Sequence, residues 1–184
     1  MRMAKNVDQT SQDLPRTVSA EETREIEYFL FREARLLDTD QYDAWLEMLS
    51  EDIHYWMPVR ENRRKADPMG AVTPHHMAFF DDDIVCLRRR VARFQQPSAW
   101  AEDPATRHTH VVSGVEVYAG EAPGTYAVHS TFINYRSRVE HDNDLLAGRR
   151  EDIIRRENGK LKLVKRTILM TQSVLQAKNL NTFL

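Results

Sequence analysis

Residues 108–174, HTHVVSGVEVYAGEAPGTYAVHSTFINYRSRVEHDNDLLAGRREDIIRRENGKLKLVKRTILMTQSV, decide the fold, because four β-patterned runs follow one another with only turns between them. The first run, 108–118, alternates Val111, Ser113, Val115 and Val117 with Val112, Gly114, Glu116 and Tyr118, the period of two that a half-buried strand requires. Gly120, Pro123 and Gly124 supply the dihedral freedom for a reversal over 119–124. The second run, 125–138, sets Val128, Ser130 and Phe132 opposite His129, Thr131, Ile133 and Tyr135, and stops at the polar cluster 140–144. The third covers 145–156. Glu157-Asn158-Gly159-Lys160 then reads as a type I′ hairpin, since Asn-Gly accepts the two positive φ values of that turn. The fourth covers 161–174. Four strands with hairpin-length links make an antiparallel meander, one face of which can be buried against helices.

The helices precede the sheet in the chain. Ser19-Ala20-Glu21-Glu22 fits a capping box, and Ile26, Phe29, Leu30, Ala34 and Leu37 follow at helical spacing, leaving Glu25, Arg32 and Arg35 for solvent or a partner. A short second helix is predicted over 42–49, with Trp45, Met48 and Leu49 on its apolar side. Asp81-Asp82-Asp83 ahead of Ile84, Leu87, Val91 and Phe94 predicts a third, acidic at its start and arginine-rich later, as the helix dipole favours. Residues 53–59 read as one further strand, and 60–74 as a charged loop broken by Pro68, Gly70 and Pro74.

The 184 residues, 41% of them hydrophobic, suffice for one core. The expected organisation is a flexible arm over 1–17 and a single α+β domain over 18–184. No apolar run is long enough for a membrane span and the first residues lack a secretory pattern, so a cytoplasmic protein without membrane association is expected. Net charge is −2, with 26 basic and 28 acidic residues. The local clusters Arg88-Arg89-Arg90-Arg93 and Arg60-Arg63-Arg64-Lys65 lack interleaved aromatic residues, so ion pairs or a protein partner account for them better than nucleic acid.

Chemistry-bearing residues are sparse. The one cysteine, Cys86, lies among Ile84, Val85 and Leu87 and reads as a small buried hydrophobe, with no internal disulfide available to it. His108 and His110 share a strand face and His75-His76 could complete a metal site, but no carboxylate follows either pair at fixed spacing, so structural or interface roles are favoured. An iron–sulfur cluster is excluded: even a Rieske centre needs two cysteines. Nucleophile elbows, phosphate-binding glycine loops and dinucleotide fingerprints are missing. Helices across a curved sheet can enclose a pocket with an Asp or His base, for which Asp52, His54 and Tyr55 are the candidates. Trp56 and Met57 beside them read as core or interface. The third strand carries Arg149, Arg150, Glu151, Asp152, Arg155 and Arg156, charges that either pair across a subunit boundary or form cross-strand pairs on a solvated face.

Several motifs in order resemble the small (beta) subunit of bacterial aromatic-ring-hydroxylating dioxygenases, in the biphenyl, benzene and isopropylbenzene branch. They are Glu33-Ala34-Arg35-Leu36-Leu37-Asp38, Tyr42-Asp43-Ala44-Trp45-Leu46, Asp52-Ile53-His54-Tyr55-Trp56-Met57-Pro58-Val59-Arg60 and Phe80-Asp81-Asp82-Asp83. Trp100-Ala101-Glu102-Asp103-Pro104, Thr106-Arg107-His108, Arg149-Arg150-Glu151-Asp152 and Asn179-Leu180-Asn181-Thr182-Phe183-Leu184 complete the series. The resemblance implies a cystatin-like or nuclear-transport-factor-like (NTF2-like) α+β cone, and a hexamer of three alpha and three beta subunits. It also implies that the alpha subunit holds the Rieske cluster and a mononuclear iron and receives NADH-derived electrons through a reductase and ferredoxin.

On that basis no catalytic, cofactor-binding or metal residue is expected in this chain. Subunit contacts are expected at Trp56, Met57, Arg60, Arg107, His108, Arg150, Asp152, Phe183 and Leu184, with Phe183 and Leu184 buried by docking on a neighbour. The other readings are a stand-alone isomerase or dehydratase of the same fold using an Asp-His pocket, and a binding or transport-adaptor domain.

Overall fold

The computed structural model describes residues 18–60, 77–94, 96, 105–140, 142–175 and 180–184. Helix α1 (Ala20–Asp38) starts where the capping box places it: Ser19 Oγ accepts from the Glu22 N–H at 3.2 Å, and the Glu22 carboxylate accepts from the Ser19 N–H at 3.1 Å. Its buried stripe is Ile26, Leu30, Glu33 and Leu37. Helix α2 (Tyr42–Leu46) is shorter than its apolar spacing suggests, because Leu49 opens strand β1 (Leu49–Pro58) instead. The Leu163 N–H donates to the Met48 carbonyl at 3.0 Å, so sheet pairing takes the chain that helix propensity would have kept.

Strand β2 (Ala78–Asp82) absorbs Asp81 and Asp82, which the sequence reading placed at a helix start; they lie opposite Trp56 and Tyr55 of β1. Asp83 alone serves helix α3 (Ile84–Phe94), accepting from the Cys86 N–H at 2.8 Å. Cys86 is half-buried rather than fully enclosed, and the Asp83 hydrogen bond, then burial, raises its thiol pKa.

Strands β3 (Arg107–Ala119), β4 (Thr125–Val139), β5 (Asp142–Glu157) and β6 (Lys160–Met170) form the expected antiparallel meander. Strand β1 runs parallel to β6, and the sheet order is β2-β1-β6-β5-β4-β3. Asn158 and Gly159 have φ of 49° and 80°, as a type I′ turn requires. One face assignment changes. The register between β3 and β4 shifts between Ser113 and Glu116, with Gly114 at φ 58°, so Val112, Val115 and Val117 pack against the core while Val111 is exposed. A glycine in the left-handed region permits such a bulge, and the extra residue inverts which alternate positions face inward.

On β4 the inward set is Tyr126, Val128, Ser130, Phe132, Asn134 and Arg136; on β5 it includes Leu146, Gly148, Arg150, Asp152 and Ile154. Gly148 is required by a close approach: a Cβ there would lie 2.6 Å from the Leu169 carbonyl oxygen and 2.9 Å from the Phe132 ring. The result is an α+β cone, a mainly antiparallel sheet folded around helices, with charged groups inside it. The expected arm 1–17 and nearly all of the charged loop 60–74 lie outside the described residues, as do His75, His76 and the motif at 100–104.

Candidate functional site

The interior of the cone is where ionisable groups converge. Glu33 of α1, Asp152 and Arg150 of β5, and Arg166 of β6 are all buried. Arg166 makes two bidentate pairs, to Glu33 (both contacts 2.8 Å) and to Asp152 (3.0 and 2.8 Å). The Trp45 indole N–H donates to Glu33 at 3.1 Å. Burial opposes the Glu33 charge, but Arg166 and Arg150 outweigh it and hold the carboxyl below its usual range. Burial likewise opposes the Arg166 charge, and Asp152 and Glu33 override it, raising its pKa further.

Arg150 is the exception. None of its guanidinium nitrogens has a hydrogen-bond partner among the described residues; its nearest anion is Glu33, 3.7 Å away, and it stacks on the Phe132 ring at 5.0 Å. Burial and the neighbouring Arg166 lower its pKa. The set is held by mutual compensation, since two carboxylates face two guanidiniums.

A second polar group lies toward β3. His110 Nδ1 is 2.6 Å from Asp38 Oδ1, and the His110 main-chain N–H donates to both oxygens of Asp38 at 3.0 and 3.1 Å. Nε2 is 2.8 Å from the Phe183 carbonyl oxygen and 2.8 Å from the Asn134 amide nitrogen. His108 stacks beside His110, with centroids 6.1 Å apart, and burial first, then His110, lowers its pKa to about 4. Both nitrogens of His110 are therefore engaged inside the chain, which leaves no lone pair for a metal.

The carboxylate and histidine nominated as a general-base pair do not assemble. Asp52 and His54 point to the outer side of β1, where Asp52 pairs with Arg155 at 2.9 Å and His54 with Asp81 at 2.8 Å. Tyr55 points inward, and its hydroxyl bonds the main chain of Leu184, accepting from N–H at 2.6 Å and donating to the oxygen at 2.5 Å. Among the described residues His110 pairs with Asp38 instead; the sequence reading named His110 only beside His108 as a possible metal ligand and did not name Asp38 as its partner. A readable clue existed for Glu33, which falls in phase with Ile26, Leu30 and Leu37.

Of the residues expected at subunit contacts, Met57, Arg150, Asp152, Phe183 and Leu184 are buried within their own chain. Phe183 and Leu184, 2% and 0% exposed, need no partner to cover them: the Phe183 ring packs on Trp45 at 4.2 Å and Phe94 at 5.6 Å. The charges on β5 follow neither expected pattern throughout. Arg150 and Asp152 turn inward, Arg155 pairs with Asp52 and Glu157, and Arg156 reaches Glu25 of α1. Trp56, Arg60 and His108 are part-exposed and Arg107 is exposed.

Among the described residues the interior of the cone is filled by side chains whose charges compensate one another, and comparison with known proteins places the chain in a family. The family profile described as "Ring hydroxylating beta subunit" matches residues 32–177. The biphenyl 2,3-dioxygenase subunit beta of Rhodococcus jostii (strain RHA1) and the benzene 1,2-dioxygenase subunit beta of Pseudomonas putida are each 40% identical over 172 residues, covering 92% of both chains. Among solved structures, naphthalene 1,2-dioxygenase with indole bound in the active site superposes with TM-score 0.83 at 27% identity, over 91% of this chain and 88% of that one.

The chain belongs to the beta subunits of ring-hydroxylating dioxygenases. It is a structural subunit of an oxidoreductase assembly, and its fold is the NTF2-like cone. Its donor set does not fit the Rieske cluster that the resemblance implies for the assembly, because one cysteine cannot supply the two thiolates. No helix among the described residues is long and apolar enough to cross a membrane.

Proposed function

We propose that this chain is the non-catalytic beta subunit of a cytoplasmic dioxygenase of three alpha and three beta subunits. The assembly adds O2 to an aromatic hydrocarbon of the biphenyl or alkylbenzene class and, with two electrons and two protons drawn from NADH and a proton, forms a cis-dihydrodiol. The alpha subunit carries the Rieske cluster and the mononuclear iron, and a reductase and ferredoxin deliver the electrons. This chain contributes by trimerising and holding the alpha subunits in place. The observation that carries the reading is the 40% identity to two such beta subunits across 92% of each chain.

The outer surface supports it. Val111, Ile133, Tyr135, Val139 and Leu145 are all exposed on β3, β4 and β5, and Val111 lies opposite Ile133 as Tyr135 lies opposite Leu145. A contiguous apolar group of this kind is what subunit contact buries. Arg107 and His108 begin the edge strand beside it, and Trp56 and Arg60 lie at the other end of the sheet, so these four residues remain the contact candidates.

Co-expression with the alpha subunit tests the proposal. The two chains should purify as one complex in equal numbers, and Tyr135→Glu with Leu145→Glu should leave this chain folded but lower its yield in the complex at least tenfold. A beta chain that stays apart from the alpha subunit at micromolar concentrations would overturn the reading.

A further inference from the structure

We propose that the interior of the cone is a binding site for an aryl group bearing an oxyanion, and that residues 181–184 occupy this site in cis. The inference does not rest on the assembly proposed above. Asn181, Thr182, Phe183 and Leu184 are all buried, and the groups that receive them come from five separate elements.

The Phe183 ring fills an aromatic slot formed by Tyr42 and Trp45 of α2 and Phe94 of α3, with the Arg90 guanidinium 5.1 Å from its centroid. Beyond the ring the lining becomes polar, with two guanidiniums and a phenol that donate and an imidazole beside them. His110 Nε2 lies 2.8 Å from the Phe183 oxygen, and Arg90 Nη2 donates to the Thr182 oxygen at 3.3 Å. Tyr55 Oη and Arg166 Nη1 donate to the Leu184 main-chain oxygen at 2.5 and 3.2 Å.

These lining groups belong to α2, α3, β1, β3 and β6, and Arg166, His110, Arg90 and Trp45 are held by contacts the tail does not make. Arg166 is clamped by Glu33 and Asp152, and His110 by Asp38. An aromatic box that ends in a guanidinium, a phenol and an imidazole matches an arylalkanoate, with the ring in the box and the oxygens on the donors. A covalently tethered occupant competes at an effective concentration of about millimolar or higher, so the intact tail excludes such a ligand from the site.

The test uses the full-length chain with Phe183→Gly and Leu184→Gly, which removes both anchors, and 3-phenylpropionate as the probe. The wild-type melting temperature should not respond to millimolar 3-phenylpropionate. The variant should melt lower by more than 5 °C and regain several degrees with 3-phenylpropionate, while propionate or toluene at the same concentration gives less than half the shift. A variant as stable as wild type, no response to the probe, or a toluene shift equal to that of 3-phenylpropionate would overturn the proposal, the last by showing an ordinary apolar hole. If the double variant does not fold, Phe183→Leu in the full-length chain takes its place, with the same three ligands and the same deciding outcomes.

Discussion

Two sets of ion pairs in this molecule use the same residue types and do different work. Inside the cone, Arg166 is clamped between Glu33 and Asp152 with Arg150 alongside, all out of contact with water. On the outside, Arg155 joins Asp52 and Glu157, Arg156 joins Glu25, and Arg88 joins Glu51, with partners that are a third to three-quarters exposed in most cases. Burial amplifies the consequence of removing one partner, because the remaining charge has no water to turn to. Solvent and salt blunt the same change at the surface. Loss of one partner is therefore far more costly in the inner set than in the outer one.

Breaking the inner set should give the largest effect. Arg166→Met strands Glu33 and Asp152, and urea denaturation should show a loss of about 3–5 kcal/mol. A loss below about 1 kcal/mol would show that water enters the cone and that the two regions do not differ.

Acid should act next, through His108. Its folded-state pKa of about 4 lies below the ordinary value of 6.5, so between these pH values the unfolded chain binds the proton more readily. Stability is then full above pH 6.5 and declines as pH falls toward 4, by up to ~3 kcal/mol. Denaturation midpoints across that range should flatten in His108→Gln. A wild-type profile already flat over pH 4–6.5 would show that the ring is protonated without penalty.

Packing on the inner face comes third. Gly148→Ala drives a methyl group into the Leu169 carbonyl and the Phe132 ring, and should cost about 1–3 kcal/mol by the same denaturation measurement. The smallest effect belongs to the rim: Arg155→Ala should cost less than about 1 kcal/mol and nothing measurable at high salt, since Arg155 and Asp52 are 35% and 59% exposed. A rim substitution that matches Arg166→Met would erase the contrast between the regions.

Much of the architecture was legible in the sequence. The meander, the Asn158-Gly159 hairpin and the Ser19 capping box are local devices, each decided by a few adjacent residues. The errors have non-local causes. Strand β2 and the early end of α2 depend on pairing with chain far away in sequence, and the bulge at Gly114 inverts the face of half a strand without changing its alternating pattern.

The interior was the least legible region. Arg150 and Asp152 sit in phase with Leu146 and Ile154, which marks them as inward, but their partners Glu33 and Arg166 come from other elements. The contribution of Asp38 emerges only when the end of α1 meets β3. Phe183 and Leu184 looked unpartnered because nothing local shows that the tail enters the cone.

The most direct test of the central claim, that this chain shapes the assembly and leaves the chemistry to its partner, is iron content and aromatic turnover of the purified chain and of its complex with the alpha subunit. The account predicts no stoichiometric iron and no turnover for the chain alone, with iron and cis-dihydrodiol formation in the complex. Stoichiometric iron or turnover of an aromatic hydrocarbon by the chain alone would contradict it.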